Sequence, residues 1–145
     1  MNIRPLRETD AQAINDLSEQ LGYPYPLEKT KAKINYAINH VDHWVYVAET
    51  SDTGKILGYI HLALFSLLFY DNMVNILGLV VDEDARGTGL GAALIKVAER
   101  TALENGCSKV RAASGMMRSH AHEFYIKHGF YNQKDQKRFI KELKS

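Results

Sequence analysis

At 145 residues the chain has the length of one domain, and its 46% hydrophobic content suffices for a buried core. Lys and Arg total 18 against 17 for Asp and Glu, and a formal charge of +1 gives no net field to draw nucleic acid or an anionic membrane surface. A lone cysteine, Cys107, excludes an intramolecular disulfide.

The first residues, Met1-Asn-Ile-Arg-Pro-Leu, lack the apolar core of a signal peptide, and the most apolar run, 59–70, is broken by His61 and Ser66. It falls short of the ~20 apolar residues of a membrane-spanning helix, so a soluble, cytoplasmic protein is expected.

Residues 2–7 read as a short strand, after which Asp10 offers an N-cap to a helix carrying Ile14, Leu17 and Leu21 at helical spacing until Gly22 stops it. Tyr23-Pro-Tyr-Pro26 interrupts, and a helical pattern resumes over 27–40 through Ile34, Ala37, Ile38 and Val41. Residues 44–49 and 56–65 are β-rich and flank the turn-dense Ser51-Asp-Thr-Gly-Lys55, an expected antiparallel hairpin. Residues 73–81 make a further strand, apolar with little alternation and therefore central.

Leu90, Leu94, Val97, Ala98, Thr101 and Ala102 share a helical face that ends at Asn105-Gly106. Residues 109–113 form a plausible next strand, 119–127 a helix, and Phe130-Tyr131 with 138–143 one or two short terminal strands. With no repeat, linker or low-complexity tract, residues 1–145 are taken as a single domain.

Between the central strand and the next helix lie Gly87, Gly89 and Gly91, beside Arg86. Such a loop either makes a tight turn or lets backbone amides at a helix N-terminus approach an anion. No Gly-Lys-Ser/Thr follows, and the spacing is not G-x-G-x-x-G, which weighs against a mononucleotide or dinucleotide loop.

Arg86-Gly-Thr-Gly-Leu-Gly-Ala92 matches the R/Q-x-x-G-x-G/A signature of the GCN5-related N-acetyltransferase superfamily (GNAT), including its place after a strand. Ser119-His-Ala-His-Glu-Phe-Tyr-Ile-Lys-His-Gly-Phe130 resembles that family's second signature, an A-x-x-x-Y helix running into Gly-Phe. The order of elements agrees along nearly the whole chain, and 118–130 with Arg138-Phe-Ile-Lys141 is similar to the small-amine branch that includes aminoalkylphosphonate N-acetyltransferases. The resemblance implies an α/β (α+β) fold in which about four helices flank a mixed, mostly antiparallel sheet of about six or seven strands.

It also implies acetyl-CoA as co-substrate and a primary amine, of a small molecule in the first instance, as acceptor. The backbone of Leu79, Val80 and Val81 would pair with the pantetheine arm, and the signature residues Arg86, Gly87, Thr88, Gly89, Leu90, Gly91 and Ala92 would hold the pyrophosphate. The Leu79 amide takes the oxyanion position, and Tyr125 the place of the acid that protonates the departing thiolate.

The amine must lose a proton before it attacks. Where several relatives carry a glutamate, this chain has Asn75 and Leu77, so the base is open among His61, Tyr25, His120 and His122. Acceptor contacts are expected from Tyr25, Asp71 and Asn75, with Asp71 or Glu28 facing a cationic amine, or Arg111 or Arg118 facing an acceptor that carries its own anion. His120 and His122, two apart on a helix, do not converge, and no metal is expected; Cys107 reads as a packed residue. A homodimer agrees with the family. Three other readings stay open: acetylation of a lysine side chain or protein N-terminus, a CoA-binding sensor or interaction module without turnover, and a nucleotide-binding module resting on the glycines alone.

Overall fold

The computed structural model describes residues 1–113 and 119–143. Five strands lie in one sheet in chain order: β1 (Asn2–Pro5), β2 (His43–Glu49), β3 (Ile56–Leu67), β4 (Tyr70–Val81) and β5 (Val110–Ala112). β1 to β4 pair antiparallel, whereas β5 pairs parallel to β4 because helix α3 (Leu90–Glu104) carries the chain back between them. The other α-helices are α1 (Ala11–Gln20), α2 (Leu27–Asn39) and α4 (Ser119–Lys127). The chain divides into two compact units, Met1–Ala113 with the sheet and α1 to α3, and Ser114–Ser145 with α4.

Alternation along β3 assigns the helices to faces. Gly58 points toward α3, where a Cβ would lie 3.2 Å from Leu90 and 3.5 Å from Leu94. The next side chain, Tyr59, faces the other way and hydrogen-bonds the Ser18 hydroxyl of α1 at 2.8 Å. Ile60, Leu62 and Val74 are fully buried with Leu94 and Ile95 of α3. On the opposite face α2 buries Thr30, Ile34 and Ala37, one side of a helix at spacings of four and three.

The described residues contain five strands rather than six or seven, and residues 130–143 form none. In that tail Phe139 and Ile140 are adjacent, not alternating, so a strand there would turn one apolar side chain to each face; with Leu143 they are 87%, 70% and 82% exposed. Asp10 also departs from expectation. It stands at the N-cap position of α1, but its carboxylate accepts from the Arg7 N–H at 2.8 Å and from both terminal nitrogens of Arg4 at 2.8 Å instead of capping the helix. This buried pair ties β1 to the 3-10 turn Glu8–Asp10. The β3–β4 hairpin is longer than the sequence indicates and closes on the exposed Leu68 and Phe69.

Candidate active site

β4 changes its pairing part-way along. Its ladder to β5 covers Val74, Asn75 and Ile76 only, whereas its ladder to β3 runs to Val81. At the point of change the β3 register slips: Leu62 faces Ile76, His61 faces Gly78, and Leu77 is the extra residue of a β-bulge, 52% exposed. Beyond the bulge, residues 77–81 have no ladder on the side away from β3 among the described residues. Leu79, Val80 and Val81 all lie in this one-sided stretch.

The chain then enters the glycine loop. Asp82 caps the 3-10 turn Glu83–Ala85 by accepting from the Asp84 N–H at 2.9 Å, and Gln20 of α1 braces it through Asp82 Oδ2 and the Glu83 N–H. Gly87 and Gly89 hold φ of +79° and +86°, which a side chain resists, while a Cβ at either would meet nothing within 4 Å. The glycines are therefore required by the backbone path, and the space above them is open. α3 begins at once, and no side chain caps it. Its first amides point out of the helix with the positive end of the helix dipole behind them, beside the exposed Arg86.

Open space over the loop, uncapped amides and a one-sided strand leading into them fit an extended ligand that ends in phosphates. Arg86, Gly87, Thr88, Gly89, Leu90, Gly91 and Ala92 would hold the phosphates, and Leu79, Val80 and Val81 the arm.

On the α1/α2 face a cavity of about 170 Å³ is walled by α1, α2, β2 and β3, with Ser18, Tyr25, Thr30, Lys33, Tyr59 and His61 as its polar lining. A second hollow of about 360 Å³ adjoins it through Ser18, Tyr25 and Thr30. Asn15 fixes the Tyr-Pro segment here, donating to the Tyr25 carbonyl at 2.7 Å and to Thr30 Oγ1 at 3.0 Å. Among the described residues no carboxylate lines either space.

Of the expected acceptor contacts, Tyr25 lines both hollows. Asn75 is bound by Arg111 Nη1 at 3.0 Å, and that guanidinium stacks 4.5 Å from the Phe65 ring. Asp71 stands exposed near the start of β4, and neither it nor Glu28 borders the two hollows. Lys33, Ser18 and Tyr59 were missed, because only the folded chain gathers one residue from each of three elements.

Sheet register places His61 between Val45 of β2 and Gly78 of β4. Its Nε2 lies 2.9 Å from Nδ1 of His43, a residue the sequence did not single out. The His43 ring packs edge-on to His40 at 4.8 Å and to the exposed Tyr36 at 5.6 Å. Burial, then repulsion from His43, pushes the His61 imidazole down to about 4; burial, then the charge of His40, lowers His43 as well. Both rings are neutral at neutral pH.

Tyr125 belongs to the second unit, where its ring meets Phe124 at 5.5 Å and Phe130 at 5.2 Å. Burial raises its phenol above the ordinary value of 10, keeping the proton in place. The side chain of His120 and residue Arg118 lie outside what the structure describes. Cys107 is buried, directly after the turn that ends α3. Among the described residues no three His, Cys, Asp or Glu side chains gather as metal ligands, and no helix is long and apolar enough to cross a membrane.

Among the described residues, then, the mixed sheet runs from a one-sided strand through a glycine loop into an uncapped helix. The family model for the acetyltransferase (GNAT) family matches residues 11–130. The chain belongs to the GNAT acetyltransferase family and is an N-acetyltransferase of that type.

Solved structures agree on the fold. The aminoglycoside 6'-N-acetyltransferase AAC(6')-IG of Acinetobacter haemolyticus superimposes with a TM-score of 0.86 at 16% identity, covering 99% of this chain and 100% of that one. An acetyltransferase of Trypanosoma brucei gives 0.79 at 27% identity over 96% and 98% of the two chains. AAC(6')-Iy, solved with the bisubstrate analogue CoA-S-monomethyl-acetylneamine, gives 0.85 at 17% identity over 98% of each. A search of curated proteins finds no match.

Proposed function

We propose that this chain transfers the acetyl group of acetyl-CoA directly to a primary amine of a small molecule. The observation that carries the reading is the one-sided stretch of β4 leading into uncapped amides at the start of α3. Acetyl-CoA supplies an activated acyl group as a thioester. The backbone of Leu79, Val80 and Val81 orients that group, and Arg86, Gly87, Thr88, Gly89, Leu90, Gly91 and Ala92 offset the pyrophosphate charge. The Leu79 N–H stabilises the carbonyl oxygen as it gains charge. Tyr125, at the signature's acid position, protonates the departing sulfur; its raised pKa keeps it a donor across the neutral range.

The acceptor enters on the α1/α2 face beside Tyr25. The neighbouring structures include enzymes acting on aminoglycosides, but Lys33 and a lining without a carboxylate among the described residues disfavour a polycation. A small amine, neutral or carrying its own anion, suits the cavity better.

Thermal unfolding with acetyl-CoA, CoA, ATP and NAD tests the donor. A ligand at 100 times its dissociation constant adds roughly 2.7 kcal/mol, and each kcal/mol raises Tm by roughly 2–4 °C in a domain of this size. We expect the rise with both CoA species alone; none with either would refute the reading. CoA release with ethanolamine, 2-aminoethylphosphonate and kanamycin then tests the acceptor, with kanamycin expected to be the poorest.

A further inference from the structure

The reaction needs a group that takes the proton from the incoming ammonium, and the part of β4 leading to Leu79 carries no carboxylate: Asn75, held by Arg111, is followed by Ile76, Leu77 and Gly78. One row of the sheet supplies an alternative. His61 stands directly opposite Gly78, the neighbour of Leu79, and residues so paired lie about 4.5–5.5 Å apart. Gly78 has no side chain to stand opposite His61, and the nearest atoms a Cβ there would meet belong to the Tyr59 ring, at 3.7 Å. His61 also lines the cavity that opens toward Tyr25. From there the 2.9 Å contact leads to His43, and His43 leads to His40 and the exposed Tyr36. Two joined imidazoles thus lead from the cavity to the half-buried His43, whose ring packs beside His40 and Tyr36.

We infer that His61 removes the proton from the acceptor ammonium and passes it through His43 to solvent. The inference rests on the acetyl-transfer reading above. The resting pair is neutral, with the hydrogen of His61 on Nε2 and that of His43 on its own Nε2. An N–H bond of the ammonium breaks as one forms at His61 Nδ1; the hydrogen on His61 Nε2 crosses to His43 Nδ1; His43 gives up its Nε2 hydrogen to water. The freed electron pair on the amine then attacks the thioester carbonyl; the C–S bond breaks, the second proton shed by the nitrogen balances the one taken up by the departing sulfur, and exchange with water restores the starting tautomers. His61 is the catalytic residue, and His43 acts through it as a positioning and relay residue.

Two features support a conduit rather than a store of charge. Burial and the neighbouring ring hold His61 far below an ordinary imidazole, so it is vacant at neutral pH and does not retain the proton. The groups facing the pair are Tyr59 from β3, Tyr25 from the Tyr-Pro segment, and Lys33, His40 and Tyr36 from α2, with Asp42 at the foot of β2; α1 contributes only the Ser18 hydroxyl. Asp42 is the one carboxylate, and it draws on His43, the outward end of the relay.

The experiment compares two amines at neutral pH: ethanolamine, which is cationic there, and 2,2,2-trifluoroethylamine, which is already neutral. Initial rates of CoA release are measured for the natural chain, His61→Gln and His43→Gln, with Tm confirming that each variant folds. We expect His61→Gln to lower kcat/KM for ethanolamine by about 100-fold or more, and His43→Gln to lower it less. Both variants should lose far less trifluoroethylamine turnover than ethanolamine turnover, a split that a merely structural role would not produce. Rates that are unchanged, or that fall equally for both amines in a folded variant, would overturn the relay while leaving acetyl transfer in place. No turnover of either amine by the natural chain would overturn acetyl transfer and the relay together. Should His61→Gln fail to fold, His43→Gln, nearer the surface, carries the same comparison.

Discussion

Gly89 and Gly54 share a left-handed backbone and open space where a Cβ would go, but only Gly89 begins α3; Gly54 turns β2 into β3. Alanine at either should cost about 1–2 kcal/mol from backbone strain alone, read as a lower urea midpoint. Gly89→Ala should also weaken acetyl-CoA in calorimetry, whereas Gly54→Ala should leave that affinity unchanged; equal affinities would remove the loop from the donor site. For Tyr125→Phe, which deletes only the hydroxyl, kcat should fall by about 100-fold or more with little change in Tm. In the natural chain the alkaline limb of the rate profile should lie above pH 10, because burial raises this phenol. These loop and helix residues were legible in the sequence because their chemistry is local: a glycine pattern, a helix start and a tyrosine in register with Gly129-Phe130.

Among the elements, β3 has no room for a side chain against β4 at Gly58, where a Cβ would fall 2.9 Å from the Val80 carbonyl oxygen. That oxygen is backbone and cannot rotate away, so Gly58→Ala must displace β4 within its one-sided stretch. We expect a loss of about 1–3 kcal/mol together with weaker acetyl-CoA binding, a coupling to be checked by urea unfolding and calorimetry on the same sample. The histidine pair could have been read from the hairpin. A turn centred on Thr53 sets His43 opposite Ala63 and Val45 opposite His61, which puts both imidazoles on one face as diagonal neighbours. The bulge at Leu77 was not legible, since an unbroken apolar run conceals a change of register, and so Asn75 and Leu77 were read as one alternating series. The terminal strands were read from β-favouring composition, which outweighed the missing alternation at Phe139-Ile140.

For the molecule as a whole, His61, His43 and Asp10 all take up protons less readily when folded than an ordinary side chain does. In each case the unfolded chain binds the proton first as pH falls, so stability present at neutral pH is lost on acidification. For His61 the loss runs from about pH 6.5 down to about pH 4 and amounts to about 3 kcal/mol. Urea midpoints across that range should therefore fall steeply in the natural chain and less steeply in His61→Gln. Fold class was legible at this scale from element order, and the acceptor hollow was not, because its walls come from segments far apart in sequence.

The five residues of β4 from the bulge onward have a further consequence. A strand whose amides and carbonyls along one side have no ladder partner among the described residues will accept any extended chain, not only the arm of a cofactor. A chain with such a side is exposed to joining its own copies, strand to strand, whenever that side is unoccupied. Saturating CoA should therefore act as a guard, slowing aggregation on mild heating by more than its effect on Tm explains.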